Sequence, residues 1–469
     1  LFSENPLLLI ALARAEVLQG ERGRAKSDAR DALLWLSVVA GPLGIPAEEW
    51  EATRRSLKEY ARRIANPGEK EPPETETRSK NDFAGSAACL PCPETVCQSW
   101  RQTGMAKMLR PSEGTRLLAD FTRVLEFRDR AGNVEARIGG ERKPYFEFWI
   151  AGAGWRRYPV DYAIGSKWQQ AYATSLRDGR LFVFPLQYNA MSGQWLNYWQ
   201  TIDPPSSSRA RVSHFPDLTE ATSYQRNCAV CHTSQLRLTE PGNTSMEHAA
   251  FREPGINCEM CHGASAGHVA EMRSGKAFQR GAAEPPFRFG SLDHVEATLI
   301  CGQCHRQSVL RNLGGGGEMN FTPESPFFTR LPARTSAQFS PRAVYKDGRF
   351  RETTFIGEAF MRSTCFLRGT AQCASCHNPH PANAESNPVS FRFQQDPDRM
   401  CLQCHAGIAE QVSTHTRQAV KSQGSRCAAC HMPPIMNALG FRAASHQLSD
   451  IPRADFVAES AWSRARAPA

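Results

Sequence analysis

Apolar and polar positions at the start of the chain follow a helical pattern. Residues 1–66 are rich in Ala, Leu, Arg and Glu. The positions that fit one pair of packed helices are Leu12, Ala13, Gly20, Ala25 and Ala32. A tetratricopeptide-like pair and an ordinary amphipathic hairpin both satisfy this spacing. Residues 67–82 form a charged linker with several prolines, which predicts a boundary there.

Residues 118–205 follow a different pattern. The strings VLEFRD, ARIGGERKPYFEFWIA, RLFVFPLQY and WLNYWQT are short and rich in aromatic and β-branched residues. Turns such as Asp178-Gly179 and Ser192-Gly193 separate them. This alternation of strand-forming strings and turns predicts a small antiparallel β subdomain.

Composition limits the kind of protein that the chain can form. Of its 469 residues, 41% are hydrophobic and 22% are charged, which is typical of a globular protein. The longest apolar stretches, residues 6–13 and 32–46, are shorter than the roughly 20 apolar residues of a membrane-spanning helix. We therefore expect no transmembrane segment.

The cysteines are the most informative residues. There are sixteen, and fourteen of them form seven Cys-x-x-Cys pairs. Six pairs are followed directly by histidine: CAVCH (228–232), CEMCH (258–262), CGQCH (301–305), CASCH (373–377), CLQCH (401–405) and CAACH (427–431). This is the attachment pattern of c-type haem.

The spacing suits covalent haem attachment. Two thiols three positions apart add to the two vinyl groups at one edge of a porphyrin, and the next residue supplies the proximal imidazole to the iron. Zinc ribbons also use Cys-x-x-Cys pairs, but zinc does not need a histidine directly after the second cysteine. With only 13 histidines in the chain, chance does not explain six such positions.

We therefore expect six haems c, each with its iron. The covalent attachment residues are Cys228, Cys231, Cys258, Cys261, Cys301, Cys304, Cys373, Cys376, Cys401, Cys404, Cys427 and Cys430. The proximal iron ligands are His232, His262, His305, His377, His405 and His431.

Seven further histidines are candidates for distal iron ligands. All of them lie between positions 214 and 446, within or beside the region of the haem motifs. The preferred candidates are His268, His380, His415 and His446, and the others are His214, His248 and His294. Six bis-histidine haems would use twelve of the thirteen histidines. Irons with two histidine ligands carry electrons, whereas an iron with one protein ligand has a position open for chemistry.

The seventh pair, Cys89 and Cys92, is followed by Pro93, which has no side-chain donor for iron. Three interpretations remain open. The pair forms a disulfide or a free dithiol, it holds a seventh haem with axial ligands from elsewhere, or it is a degenerate haem site. Cys97 and Cys365 lie outside any pair, and an oxidising compartment would allow a disulfide between them or with the Cys89 and Cys92 thiols.

The motifs resemble a known family. The string FAGSAACLPCPETVCQSWRQTGMAKMLRP is similar to the first haem site of multihaem cytochromes that are often fused to tetratricopeptide repeats. Ser99, Trp100 and residues 103–106 match that site, whereas Pro93 stands where its histidine belongs. SYQRNCAVCHTSQL, EPGINCEMCHGASAGH, CGQCH, SPRAVYKDGRFRETT, CASCHNPH, CLQCH and CAACHMP then follow in the family's order, so that the resemblance covers about residues 83–450.

These cytochromes are related to cytochromes c-552 and c-554, pentahaem nitrite reductase and hydroxylamine oxidoreductase. The resemblance implies a mainly α fold with much irregular structure, organised around packed haems. To this we add the inserted β subdomain and the N-terminal helical segment. Residues 83–117 are then the degenerate first haem site, residues 206–450 the multihaem domain, and residues 451–469 a flexible tail.

The family contains both electron carriers and enzymes that act on nitrite or hydroxylamine. Its nitrite reductases use a lysine after one Cys-x-x-Cys pair as the ligand of the catalytic haem. This chain has no Cys-x-x-Cys-Lys, so no catalytic residue is carried over. Met105 lies where relatives often place a ligating residue, and it either ligates iron or packs against a porphyrin face.

Two functions follow as expectations. The first is an electron relay between a quinol-linked donor and a terminal acceptor, as a monomer or a homo-oligomer. The alternative is an oxidoreductase that acts on a small inorganic nitrogen or sulfur compound at one open haem. The formal charge of +9 falls by roughly 6 once six haems bring their propionates, so we expect no nucleic-acid partner.

Covalent haem attachment to such motifs takes place outside the bacterial cytoplasmic membrane in this class of cytochromes. We therefore expect an exported protein of the periplasm or the cell surface. The chain opens with Leu1 and has Glu4 where a signal peptide carries positive charge. A signal peptide is accordingly expected to be absent from this chain or truncated.

Overall fold

The structure is a computed structural model. It describes residues 13, 25–26, 28–30, 32–33, 36, 54–55, 57–58, 61–62, 65, 83–90, 94–129, 131–202, 212–237, 248–274, 289–306, 345, 349–350, 356–437 and 442–448. The linker expected at residues 67–82 and the tail expected at residues 451–469 lie outside the described residues, as does Cys92.

The described residues between 13 and 65 are all helical. Ala13, Ala29 and Ala65 form a small buried cluster with one another. Three further buried residues of this segment, Ala32, Leu36 and Ala61, share a cluster with residues of the region 295–366. The N-terminal segment is therefore packed against the part of the chain that carries the haem motifs. The number of helical repeats remains a prediction, because most of residues 1–66 lie outside the described part.

Ten antiparallel strands occupy the section from residue 109 to residue 197. They are β1 (Leu109–Pro111), β2 (Leu125–Arg128), β3 (Val134–Gly139), β4 (Tyr145–Ile150), β5 (Gly154–Pro159), β6 (Tyr162–Ile164), β7 (Gln169–Ser175), β8 (Leu181–Val183), β9 (Leu186–Asn189) and β10 (Gln194–Asn197). One sheet has the order β2-β3-β4-β5, and the other has the order β1-β6-β7-β9-β10 with β8 paired to β7.

An aromatic core joins the two sheets. Phe146 and Phe148 on β4 alternate with partly exposed neighbours, as expected for a strand with one buried face. Phe146 stacks on Phe184 with ring centroids 4.1 Å apart, and Tyr172 on β7 closes the cluster from the second sheet. The sequence strings rich in aromatic residues thus form a local core.

The two faces of β7 are both buried, but against different partners. Tyr172 packs into the aromatic core, whereas Ala171 and Ala173 belong to a second cluster. That second cluster contains Tyr224, Ala229 and Val230, and the thiols of the first haem motif pack on it. The second sheet is therefore a wall that separates the aromatic core from the region of the haem motifs.

Short helices and turns carry the rest of the described chain. The helices are α1 (Ser86–Cys89), α2 (Glu94–Gln102), α3 (Tyr198–Ile202), α4 (Tyr224–Asn227), α5 (Ala229–His232), α6 (Glu259–His262), α7 (Ala266–Arg273), α8 (His294–His305), α9 (Ile356–Met361), α10 (Thr364–Leu367), α11 (Cys373–Cys376), α12 (Arg399–Leu402), α13 (Val412–Thr416) and α14 (Cys427–His431). Two two-stranded sheets complete the described fold, formed by β11 (Thr233–Ser234) with β12 (Glu253–Pro254) and by β13 (Pro434–Met436) with β14 (Arg442–Ala444).

The expected fold class is therefore only partly correct. Helices and irregular turns do surround the haem motifs, but the described part contains four antiparallel sheets. The section from residue 109 to residue 197 contains ten strands in two sheets, which is more than the small subdomain expected from the sequence. Among the described helices, none is both long enough and apolar enough to cross a membrane.

Candidate haem sites

Each Cys-x-x-Cys-His motif lies on or at the end of a helical turn. The motif of residues 301–305 forms the end of α8, which is twelve residues long. A reciprocal capping box starts that helix: the Asp293 carboxylate accepts from the Glu296 amide at 2.8 Å, and the Glu296 carboxylate accepts from the Asp293 amide. Residues three apart lie on one face of a helix, so this conformation directs both thiols of a motif to the same side.

All six motifs surround a single cavity. Its volume is about 2670 Å³, several times the roughly 300–1,000 Å³ of a site for one small molecule. Both cysteines and the histidine of every motif line it. The second sheet contributes one side of the lining through β7 and through the β6–β7 turn, which contains Lys167. One continuous space is therefore available to all six expected haems.

Three proximal histidines each face a second histidine across this cavity. His262 faces His380 with ring centroids 6.2 Å apart and ring planes inclined by 18°. The remaining two pairs have the same separation: His377 with His446, inclined by 21°, and His415 with His431, inclined by 14°. His380 and His446 come from segments distant in sequence from their partners, whereas His415 precedes His431 by 16 positions.

This separation fits one metal ion between two imidazoles. A histidine nitrogen lies about 2.0–2.1 Å from a metal such as zinc, and its ring centroid lies about 1.1 Å behind that nitrogen, so two opposed imidazoles have centroids roughly 6.2–6.4 Å apart. Imidazoles in direct face-to-face contact would lie much closer together. The residues present thus fit bis-histidine haem iron at three positions.

Burial favours the neutral imidazole, which is the form that ligates metals. It lowers the pKa of His232 to about 4, with a further contribution from His305. It also lowers the pKa of His446 to about 4, with a contribution from His377. The pKa values of His262, His305, His377 and His380 are lowered as well, in each case mainly by desolvation. The Nδ1 atoms of His232 and His380 are buried without a hydrogen-bond partner.

The other four candidate histidines do not line the cavity. His214 is half-buried and lies 3.3 Å from the Asp217 carboxylate. His248 lies near Asp178, at the edge of the β section. His294 contacts Phe366 at the start of α8, and His268 lies on α7 with its Nδ1 atom buried and unpartnered. Of the four histidines preferred from the sequence, the structure brings three into the cavity and leaves His268 outside it.

Cysteine sulfurs from different motifs lie next to one another. Cys304 lies beside Cys231, Cys301 lies beside Cys373, and Cys401 lies beside Cys427. Cys261 interacts electrostatically with Cys301, as does Cys376 with Cys404. The motif at residues 301–305 therefore touches three others, those at residues 228–232, 258–262 and 373–377. The motif at 373–377 lies beside the motif at 401–405, and the latter lies beside the motif at 427–431.

The start of the degenerate first site, around Cys89, is attached to the second motif. The amides of Ala84 and Gly85 each donate to the Glu259 carboxylate at 2.8 Å. The Cys89 thiol is hydrogen-bonded to Cys258, and the Cys97 thiol donates to the Cys89 carbonyl at 3.4 Å. Neither Cys89 nor Cys97 contributes to the lining of the cavity.

The structure does not bring Cys97 and Cys365 together. A disulfide with Cys92 is not tested, because Cys92 lies outside the described residues. Cys97 lies beside Cys89 and Cys258, whereas Cys365 lies beside Cys376 and Cys404. The two cysteines thus belong to different parts of the haem region and are held apart by the packing of their own neighbours.

The residues that resemble the family's first site form part of the cavity lining. The Trp100 indole donates to the Ile256 carbonyl at 3.1 Å, and the Ile256 amide donates to the Met105 carbonyl at 3.1 Å. Gly255 adopts φ +72°, and a Cβ there would lie 2.3 Å from the Ala106 carbonyl oxygen. Met105 lines the cavity, so it stays a candidate either for ligation or for packing.

A buried ion pair next to the third motif escaped the sequence analysis. Arg306 directly follows His305, and its guanidinium donates to the Glu358 carboxylate at 3.1 Å. Their side chains are 1% and 5% exposed. The two residues are 52 positions apart, so their spacing in the sequence does not indicate an ion pair. The one feature visible in the sequence is an arginine directly after a motif.

Comparisons with known proteins agree with this site. The model of the family "Doubled CXXCH motif" matches residues 368–410, and that of "Cytochrome c554 and c-prime" matches residues 187–263. The comparison with curated proteins gives no match. Among solved structures, the chain is similar to the outer cell wall cytochrome OcwA, with a TM-score of 0.46 and 15% identity over 78% of this chain and 79% of that one.

The two family matches cover four of the six motifs and include both members of one facing histidine pair, His262 and His380. Together with the attachment chemistry of the motifs, they support the conclusion that the chain is a multihaem c-type cytochrome.

Proposed function

We propose that the protein relays electrons through six haems c held in the one cavity. The observation that carries this proposal is that all six Cys-x-x-Cys-His motifs line a single continuous space. Haem supplies one-electron redox chemistry when it is bound. The contacts between cysteines of neighbouring motifs support short distances between successive haem edges, which a relay needs.

The histidine pairs support bis-histidine ligation of three haems. His380 would be the second ligand of the iron on His262. In the same way, His446 would be the second ligand of the iron on His377, and His415 the second ligand of the iron on His431. Saturated irons of this kind pass electrons and bind no substrate. The chain's own contribution is to hold these imidazoles aligned, and burial favours the neutral form of the imidazoles in the first two pairs.

The second sheet and the N-terminal helical segment cover part of the proposed relay, at the first motif and at α8. Ala171 and Ala173 cover the thiols of the first motif, and Leu36 covers α8 from the other side. An apolar cover of this kind lowers the local dielectric and stabilises the haem-loaded fold. Apolar residues over a haem also prevent a redox partner from reaching it, so that electrons leave the relay only at uncovered haems.

Covalent attachment of haem supports an exported protein, in the periplasm or at the cell surface of a bacterium. Its partners would be redox proteins: a quinol-linked donor and a terminal acceptor. We propose that Cys89 and Cys92 hold no seventh haem, because Cys89 lies outside the cavity and Pro93 offers no ligand.

One observation favours a second candidate function. Of the seven histidines outside the motifs, only His380, His415 and His446 line the cavity, and the structure describes all thirteen histidines of the chain. His232, His305 and His405 therefore have no second histidine opposite them among the described residues. An oxidoreductase acting on a small inorganic nitrogen or sulfur compound would use an iron of this kind.

Electron paramagnetic resonance of the oxidised holoprotein separates the two functions. A relay gives a spectrum that nitrite and hydroxylamine leave unchanged, and the reduced protein does not turn over either compound. A high-spin signal that shifts on addition of nitrite or hydroxylamine, together with turnover, would replace the relay by the oxidoreductase.

A further inference from the structure

Both imidazoles of the pair His377 and His446 are hydrogen-bonded to backbone carbonyl groups. The Nδ1 atom of His377 lies 2.9 Å from the Val389 carbonyl oxygen, and the Nδ1 atom of His446 lies 3.1 Å from the Ala444 carbonyl oxygen. A carbonyl oxygen only accepts, so each Nδ1 atom carries the proton and donates it. The tautomer is thereby fixed in both rings, and the Nε2 atom of each ring is the one left to ligate iron.

A second facing pair differs in this respect. The Nδ1 atom of His380, which faces His262, is buried and has no hydrogen-bond partner in the part of the chain that the structure describes. That pair therefore has at most one ring with a hydrogen-bonded Nδ1 atom. The carbonyl contacts on both rings are thus a particular feature of the pair His377 and His446.

A tight loop, residues 387–391, presents the Val389 carbonyl to the imidazole. Asn387 is 3% exposed, and its side-chain amide closes the loop. The amide nitrogen donates to the Phe391 carbonyl at 2.7 Å, and the amide oxygen accepts from the Phe391 backbone amide at 2.8 Å. Ser390 adopts the left-handed conformation with φ +54°, and its backbone amide donates to the Asn387 carbonyl at 2.9 Å. These contacts define one conformation of the loop.

Both ends of the loop are fastened to neighbouring elements. At its end, the Asn378 amide donates to the Ser390 carbonyl at 2.7 Å. At its start, the Lys167 ammonium group, in the β6–β7 turn, donates to the Pro388 carbonyl at 2.7 Å. The carbonyl that faces His377 lies between these two attachments, so they hold its direction.

A hydrogen bond on Nδ1 makes an imidazole a stronger electron donor to a metal. Donation to the carbonyl leaves the ring partly negative and raises the basicity of the ligating nitrogen. Ferric iron carries one more positive charge than ferrous iron, so a more basic ligand stabilises the ferric state and lowers the reduction potential. In the pair His377 and His446, this effect acts from both rings.

We propose that Asn387 lowers the reduction potential of the haem on His377 by holding the Val389 carbonyl against that imidazole. Asn387 does not line the cavity, so it is a positioning residue that acts through the loop. The inference rests on the proposed relay, and it adds a residue that sets one of the potentials in the row.

The place of this haem in the row gives the lowered potential a consequence. Cys373 lies beside Cys301 of the motif at residues 301–305, and Cys376 lies close to Cys404 of the motif at residues 401–405. A haem of lowered potential between two neighbours passes electrons on to either of them and does not store them.

The test is a spectroelectrochemical titration of the holoprotein and of loop variants. In Asn387→Ala the loop loses both side-chain hydrogen bonds, so one of the six potentials moves upward and the other five stay in place. Asn387→Ser is a milder change, which keeps the proposal testable if Asn387→Ala does not fold, and it moves the same potential upward by less. Asn383→Ala is the matched control and leaves all six potentials in place, because the exposed Asn383 side chain donates to Gln394.

The direction of the shift separates this role from a purely structural one. A loosened loop that only admitted water would stabilise the more highly charged ferric state and lower the potential. An upward shift therefore reports the loss of the hydrogen bond between His377 and the Val389 carbonyl.

The responding haem is identified through its second ligand. His446→Ala leaves the iron on His377 with one histidine and makes it high spin. When Asn387→Ala is added to His446→Ala, the component that moves upward carries the high-spin spectrum. A potential that stays in place or moves downward in the Asn387 variants, or a responding component that is low spin in the double variant, would overturn the proposal.

The outcome is distinguishable from failure of the relay itself. Six reducible haems with potentials indifferent to Asn387 contradict only the inference about the loop. Fewer than six reducible haems in the unmodified protein contradict the relay, whatever the variants show.

Discussion

His262 and His380 face each other across the cavity with ring centroids 6.2 Å apart and ring planes inclined by 18°. His262 ends the motif CEMCH, whereas His380 follows the motif CASCH in the string CHNPH. In the proposed ligation, the histidine that follows one attachment motif would complete the ligand pair of another. His377 and His380, three positions apart, would then belong to two different haems.

The first prediction concerns this pair. Replacing His380 by Ala leaves the iron on His262 with one protein ligand, so one haem changes from low spin to high spin. Electron paramagnetic resonance of the oxidised protein measures the change. The control is His214→Ala, because His214 lies outside the cavity beside Asp217. An unchanged low-spin spectrum for His380→Ala would show that His262 has another partner.

The second prediction concerns the other two pairs. His415→Ala and His446→Ala should each change one further haem from low spin to high spin. The three single variants should affect three different haems. A protein with two of these substitutions should therefore show twice the high-spin intensity of either single variant. If two variants convert the same haem, the pairing of His431 or of His377 given above is incorrect.

The third prediction concerns haem stoichiometry. Substitution of both Cys258 and Cys261 by Ser should remove one haem, as measured by the pyridine haemochrome assay per chain. Substitution of both Cys89 and Cys92 by Ser should leave six haems, because Cys89 does not line the cavity. Loss of a haem in the second variant would establish a seventh site at Cys89 and Cys92.

The fourth prediction concerns Gly255. Its φ of +72° is disfavoured for other residues by about 1–2 kcal/mol, and a Cβ would also lie 2.3 Å from the Ala106 carbonyl oxygen. Gly255→Ala should therefore lower the free energy of unfolding by more than about 2 kcal/mol, since strain and collision add. Gly179→Ala is the matched control, with φ +84° and open space around its Cβ position.

Chemical denaturation of the holoprotein measures both glycine variants. Gly179→Ala should lose only about 1 kcal/mol, because it meets the backbone strain without a collision. Equal losses for the two variants would contradict the tight contact between Gly255 and the turn that contains Met105.

The fifth prediction concerns the N-terminal segment. Leu36 is fully buried in a cluster with Leu299 and Phe366, so Leu36→Ala should cost about 2–5 kcal/mol of stability. Leu125→Ala, at a position 36% exposed, should cost less than about 1 kcal/mol. A Leu36→Ala protein as stable as the unmodified chain would show that the N-terminal segment is not packed on the haem region.

The attachment motifs can be predicted from the sequence because covalent attachment requires closely spaced residues. Cys228, Cys231 and His232 must follow one another closely for one porphyrin to reach all three, so spacing alone reveals the chemistry. Distal ligation has no such local constraint. His446 and His377 meet only because β14, which ends just before His446, brings that residue back to the cavity.

The position of His268, the buried ion pair and the two faces of β7 depend on tertiary packing, which residue spacing in the sequence does not reveal. His268 was preferred because it follows the CEMCH motif closely, yet α7 holds it outside the cavity. The pair of Arg306 and Glu358 joins two helices across 52 positions. The aromatic strings did predict antiparallel strands, but not that the two sides of β7 would serve two different clusters.

The most direct test of the relay is coulometric titration of the purified holoprotein, with haem absorbance recorded at each potential. The account predicts that each chain takes up six electrons, all of them visible as haem reduction and all exchanged through one connected set of haems. Uptake of fewer than six electrons, or haems that fail to equilibrate with one another, would contradict a continuous relay through the cavity.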